Sequence, residues 1–219
     1  MTAARITPAE KAALREPWED IARQRQAVEL GMWAFLASEL LFFSGLFAGY
    51  TIYRSIYPQA FWEAGAETSL WFGGANTAIL LISSAVVALV PRAARWPGLG
   101  RFARAMLWIG ALLGVAFLVL KGFEYREDFH EHLWPGPDFK LHAEGAELFF
   151  SFYWCLTAIH AVHLVVGICL LARLAVAGAR DPGWFTETPA VQATALYWGL
   201  VDIIWTVVFV IIYLPGRGG

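Results

Sequence analysis

Charge is scarce in this chain. Only 16% of its 219 residues are Asp, Glu, Lys or Arg while 58% are apolar, whereas a soluble domain carries about a quarter charged residues. The chain therefore has no soluble domain of useful size and reads as an integral membrane protein. A formal net charge of −2, from 16 Lys and Arg against 18 Asp and Glu, offers no basic face to nucleic acid. Cysteine is nearly absent as well. Cys155 and Cys169 lie on one predicted helix, about 21 Å apart along its axis, which excludes a disulfide within the chain. Residues 1–28 contain no apolar core followed by a small-residue cleavage site, so no removable signal peptide is expected. An inverted repeat of the transporter kind is missing, as are a Ser/His/Asp constellation, a phosphate-binding glycine loop and a complete metal-ligand set.

What the sequence has in abundance is long, unalternating apolar runs. Five of them cover residues 29–52, 70–90, 103–123, 147–173 and 191–214. In lipid every backbone polar group must be satisfied internally, so runs without period-two alternation form helices. The predicted fold is all-α, a polytopic bundle of five transmembrane helices (29–214), with an amino-terminal arm (1–28) and a short tail (215–219). In the arm, Thr7-Pro8-Ala9-Glu10 fits a capping box opening a short surface helix that Pro17 ends. Short connections predict that neighbouring helices pack antiparallel. Basic residues stay on the cytoplasmic side of a membrane. Eleven of them fall in the amino-terminal arm and the second and fourth connections, against five on the other side (Arg54, Lys121, Arg126, Lys140 and Arg217). The amino terminus is therefore expected in the cytoplasm.

The chemistry is concentrated in a few polar residues inside these runs. Glu39 lies near the middle of the first, about 13 Å below the surface of a hydrocarbon core about 30 Å thick. An ionisable group at that depth is costly unless it is protonated, paired or turned towards protein. Asp202 on the fifth span and His160 and His163 on the fourth come out within one helical turn of that level. Spaced three apart, the two imidazoles are expected on one helix face, with Glu39 hydrogen-bonded to His163 or His160. The bland alternative is polar groups that only tie helices together. A metal or haem held by the His pair is disfavoured, because two imidazoles and two distant acids are an incomplete ligand set. Asn76 reads as an interhelical hydrogen-bonder. The segment from Glu124 to Glu144 reads as a solvated acidic loop, with His130, His132 and His142 among its acids, in preference to a divalent-cation site. Arg92 and Arg173, at span ends, are candidates for gripping lipid phosphates.

Five stretches carry a family likeness: GMWAFLASELLFFSGLFAGY, NTAILLISS, the EY of KGFEYREDF, FFSFYWCLTAIHAVHLVVGI and YWGLVDIIWTVVFVIIY. Together, in this order, they resemble subunit III of the haem-copper oxidases, particularly cytochrome c oxidase, in a short form of five spans. The likeness runs from Glu29 to Tyr213. It implies that Glu39 is the family's intramembrane carboxyl, His160 and His163 its paired histidines, Asn76 its asparagine, Glu124 the glutamate before tyrosine and Asp202 the acid of the last span. Gly199 departs from the pattern, since many members have histidine there. The resemblance further implies a subunit without redox centres, packed in one complex with subunit II and the subunit I that carries haem and copper. It also implies helices arranged around a V-shaped cleft that binds phospholipid, and a role in keeping proton uptake by subunit I fast and in protecting its active site. A quinol oxidase subunit or a nitric-oxide-reductase accessory protein is the alternative within this family. Outside it stands a small proton-coupled transporter using Glu39 and Asp202 as a relay.

Overall fold

The computed structural model describes residues 20–216 together with Pro8, Lys11, Leu14, Glu16 and Trp18. The expected arm helix and its capping box fall largely outside these residues. Among the described residues all regular structure is helical: α1 (Ile21–Ile56), α2 (Pro58–Glu67), α3 (Leu70–Ala88), α4 (Val90–Arg95), α5 (Gly100–His130), α6 (Ala146–Arg180), α7 (Pro182–Glu187) and α8 (Ala190–Val208), closed by a π-helical turn over Phe209–Tyr213. Five of these stretches, α1, α3 with α4, α5, α6 and α8 with its π turn, are long and apolar enough to cross a membrane.

Local chemistry sets the ends. The Asp20 carboxylate accepts from the Ala22 N–H at 2.9 Å and starts α1. From there the helix is continuous through residue 28, with no break between the expected arm and the membrane domain. Pro58 occupies the first turn of α2, where its missing N–H costs nothing. The Asp181 carboxylate caps α7 by accepting from the Trp184 N–H at 2.9 Å, again with proline next to the cap. Three segments expected as connections thus carry the short helices α2, α4 and α7.

α5 continues to His130, seven residues beyond the apolar run. The acidic loop expected from Glu124 therefore begins only at Glu131, and Glu124 and Asp128 are buried helical residues. Sequence hydropathy ended the span at the first cluster of charge. The backbone did not, because those charges find partners inside the bundle. Lys121 also moves: it is 2% exposed in the interior rather than at an interface, which leaves four basic residues against eleven in the charge asymmetry.

α3, α5, α6 and α8 form the body of the molecule, with α5 packed extensively against both α3 and α6. The indole of Trp198 sits between α5 and α6 where a Cβ on Gly114 would approach it to 2.8 Å and one on Gly167 to 2.9 Å. Small residues at such crossings let backbones close up where lipid supplies no hydrophobic drive. α1 is different. It packs on α6 and α8, and makes little contact with α3, the next span in sequence, so the expectation that sequence neighbours pack side by side fails for the first pair. The cross-links that hold this peripheral helix include the Arg25 guanidinium to the Glu187 side chain and, at 3.1 Å, to its carbonyl; Glu39 to His163; and the Tyr50 hydroxyl to the Ile211 carbonyl at 2.6 Å. The last acceptor belongs to the π turn, where wider backbone pairing leaves carbonyls open to other donors.

Candidate functional site: a polar pair in an apolar cleft

The splay of α1 leaves a cleft of about 730 Å³ against α6 and α8. Its walls are mostly apolar, including Met32, Phe35, Val162 and Val166, and Glu39 and His163 open into it. His163 Nε2 and Glu39 Oε2 are 3.0 Å apart, and each side chain is about one-fifth exposed. His163 Nδ1 is 2.8 Å from the Ile159 carbonyl. A carbonyl only accepts, so Nδ1 carries a hydrogen, and the Nε2–Oε2 contact then needs one more proton. That proton sits on the imidazole facing a carboxylate, or on the carboxyl facing a neutral imidazole. Both forms are neutral overall, which is what a site at this depth requires. Phe43 meets the imidazole edge-on with centroids 5.4 Å apart, and the Tyr197 hydroxyl donates to the His163 carbonyl at 2.9 Å. Arg173 lies on the same cleft wall, one helical stretch away near α7. Arg92 lines a separate groove between α4 and α8 with Arg95, Trp96 and Gln192.

The other expected members of the cluster stand apart from this pair. His160 is fully buried, turned into the body against Phe117 and Trp205 with ring centroids 5.5 and 5.0 Å away, and both its nitrogens lack a hydrogen-bond partner. The two imidazoles do not share one face because a three-residue step turns a side chain by about 60°; one ring meets α1 and the other the α5–α8 interface. Asp202 lies next to Ser84 of α3, with its Oδ1 unpaired and no hydrogen bond or ion pair to Glu39, His160 or His163. Asn76 is fully buried and neither of its amide atoms is paired. Of the four residues expected in one layer, the structure brings two into contact.

A second polar centre, which hydropathy does not reveal, lies between α5, α6 and the π turn. Lys121 Nζ is 3.0 Å from the Tyr153 hydroxyl, 2.6 Å from that of Tyr213 and 3.0 Å from Glu124 Oε2. The rings of Tyr125, Tyr153, Trp205 and Tyr213 surround the ammonium at 4.5 to 5.8 Å from their centroids. Glu124 Oε1 accepts from Tyr213 at 2.7 Å and from Tyr153 at 3.0 Å, and Tyr153 also reaches Asp128. The sequence did hold a signal: positions 121, 124 and 128 have the i, i+3, i+7 spacing of one helix stripe. Beyond this centre, Lys140 joins Glu67 at 2.7 Å and Glu131 at 3.4 Å, tying the ends of α2 and α5. The hydrogen bond to Glu67 raises the Lys140 pKa above the ordinary lysine value. Among the described residues no three His, Cys, Asp or Glu stand together as a metal-binding group.

The sequence has known counterparts. Residues 19–217 match the family model for cytochrome c oxidase subunit III. A cytochrome c oxidase subunit 3 of Synechocystis is 33% identical over 84% of this chain and 74% of its own length. That of Thermostichus vulcanus is 31% identical over 86% and 87%. A quinol oxidase subunit 3 of Bacillus spizizenii is 27% identical over 87% and 88%. Five spans, an intramembrane carboxyl and these likenesses lead to one conclusion: the chain belongs to the cytochrome c oxidase subunit III family and is a multi-pass plasma-membrane subunit III of a haem-copper oxidase.

Proposed function

We propose that this subunit holds phospholipid in the cleft behind α1 and, with its protonatable Glu39–His163 pair, supports proton uptake and durability in a neighbouring subunit I that carries the haem and copper. The complex's subunit II is the other expected partner. The observation that carries this reading is the cleft itself: apolar walls suited to acyl chains, a neutral acid–imidazole pair deep within, and Arg173 on the same wall to face a lipid phosphate. Within this reading the chain's own residues bind lipid, limit water and ion access to the neighbour and hold one proton between Glu39 Oε2 and His163 Nε2. Electron transfer is the work of the partner's metal centres, and no residue of this chain is assigned a catalytic part. The amino terminus faces the cytoplasm, a reading supported by the excess of basic residues at that end of the bundle.

The test is a comparison of the purified complex with its Arg173→Ala and Glu39→Gln variants. Arg173→Ala is expected to lower the amount of co-purifying phospholipid, read by lipid mass spectrometry. Glu39→Gln is expected to shorten the number of turnovers before activity is lost. Lipid content and turnover lifetime both unchanged would refute the reading. A quinol-oxidising complex is the second reading, supported by the similarity to quinol oxidase subunit 3; reduced cytochrome c and a quinol, offered separately to the purified complex, decide between the two.

A further inference from the structure

The buried centre at the far end of the bundle sets two carboxyl groups against one cation. Glu124 is 1% exposed, Lys121 2% and Asp128 7%. The Lys121 ammonium donates to the hydroxyls of Tyr153 and Tyr213, stands 3.0 Å from Glu124 Oε2 as an ion pair, and is enclosed by four aromatic rings. That surrounding fits the charged ammonium. Lys121 and Glu124 thus cancel one another, and Asp128 is left without a cation of its own: the side chains facing it are the Tyr153 hydroxyl from α6, Lys121 and Glu124 on its own helix, and Glu131 just past the helix end. Lys140 is committed to Glu67 and Glu131. A net negative charge sealed among aromatic rings is costly, and one proton removes it.

We infer that the Lys121–Glu124–Asp128–Tyr153–Tyr213 centre is a proton-binding site that takes up one proton at Asp128. The hydrogen-bond geometry accommodates both states. With Asp128 ionised, the Tyr153 O–H donates to it. With Asp128 protonated, its own O–H donates to the Tyr153 oxygen, and the phenolic hydrogen turns to Glu124 Oε1, 3.0 Å away. A phenol accepts two hydrogen bonds while donating one, so the Lys121 contact survives the turn. No bond other than the transferred O–H forms or breaks, and the proton comes from water at the bundle end, where Asp128 is the more exposed of the two acids. The inference does not depend on which electron donor the complex uses, nor on lipid in the cleft.

Infrared difference spectroscopy of the intact purified complex, between two pH values, tests it. The expected spectrum has a carbonyl band of a protonated carboxylic acid that moves to lower frequency when aspartate is labelled with carbon-13, disappears in Asp128→Asn and persists in Glu39→Gln and Asp202→Asn. In Tyr153→Phe, which keeps the acid and removes its hydrogen-bond partner, the band is expected at higher frequency. Should Asp128→Asn fail to assemble, the label and the Tyr153→Phe shift decide. Absence of a label-sensitive acid band, or a band that Tyr153→Phe leaves in place, overturns the inference.

Discussion

Replacing Lys121 by Met removes a cation whose side chain is 3% exposed and which faces three oxygens and four rings. The flexible thioether chain fills much of the same space, so the loss is electrostatic rather than a cavity. Removing one partner of a buried ion pair costs about 3–5 kcal/mol, because the remaining charge is left uncompensated. Here part of that cost is offset by proton uptake on the two orphaned acids, so the low end of that range is expected at neutral pH and a larger loss at alkaline pH. Glu124→Gln, combined with Lys121→Met, removes the uncompensated charge and recovers part of the stability. The double-mutant cycle should show a coupling of about 2–3 kcal/mol, the upper part of the range of about 0.5–3 kcal/mol for residues in contact. Denaturation of the purified chain in mixed micelles, followed by tryptophan fluorescence, reads the difference directly, since Trp205 lies against the centre. A loss below about 1 kcal/mol, the size found for an exposed pair, together with no coupling, would refute the description of this centre as a sealed charge cluster.

Glu39→Gln keeps a donor for His163 Nε2 and is expected to change stability by less than about 1 kcal/mol, whereas Glu39→Ala leaves the imidazole unpaired and costs about 1–3 kcal/mol in the same assay. Gly167→Val drives a branched side chain into Trp198 and should cost about 1–3 kcal/mol through overpacking, with a drop in thermal stability that a Trp198→Leu second change partly relieves. Arg25→Ala removes a half-exposed tie between α1 and α7 and is expected to cost less than about 1 kcal/mol while raising the rate at which a spin-labelled lipid exchanges at the cleft. The Lys140 tie is present at neutral pH, where lysine is charged in any case, and because the pair raises its pKa the contribution is lost as pH rises from the ordinary lysine value through the raised one; Lys140→Met should flatten the alkaline limb of the stability profile, with an effect below about 1 kcal/mol for so exposed a group.

Both polar centres show how far the chain could be read before it folded. The five spans, their all-helical character and the depth of Glu39 follow from the length and continuity of the apolar runs, since a backbone in lipid has no alternative to pairing with itself. The contact between Glu39 and a fourth-span histidine was legible too, because depth along two rods of known rise is a one-dimensional sum. Which rods touch is not. α1 bypasses α3 to lean on α6 and α8, and only that choice opens the cleft. Rotation about each helix axis is equally absent from hydropathy, so His160 and His163 looked alike until one met Phe117 and Trp205 and the other Glu39. By hydropathy Lys121, Glu124 and Asp128 mark the edge of the membrane, because a charge reads as a boundary when its partners are unknown. Tyr153 and Tyr213, from segments far away in sequence, make those charges tolerable inside. Sequence determined how many helices cross the membrane and how deep Glu39 and His163 lie; packing alone decided which groups face one another, because azimuth and adjacency are set by the sum of many weak contacts rather than by any local run of residues.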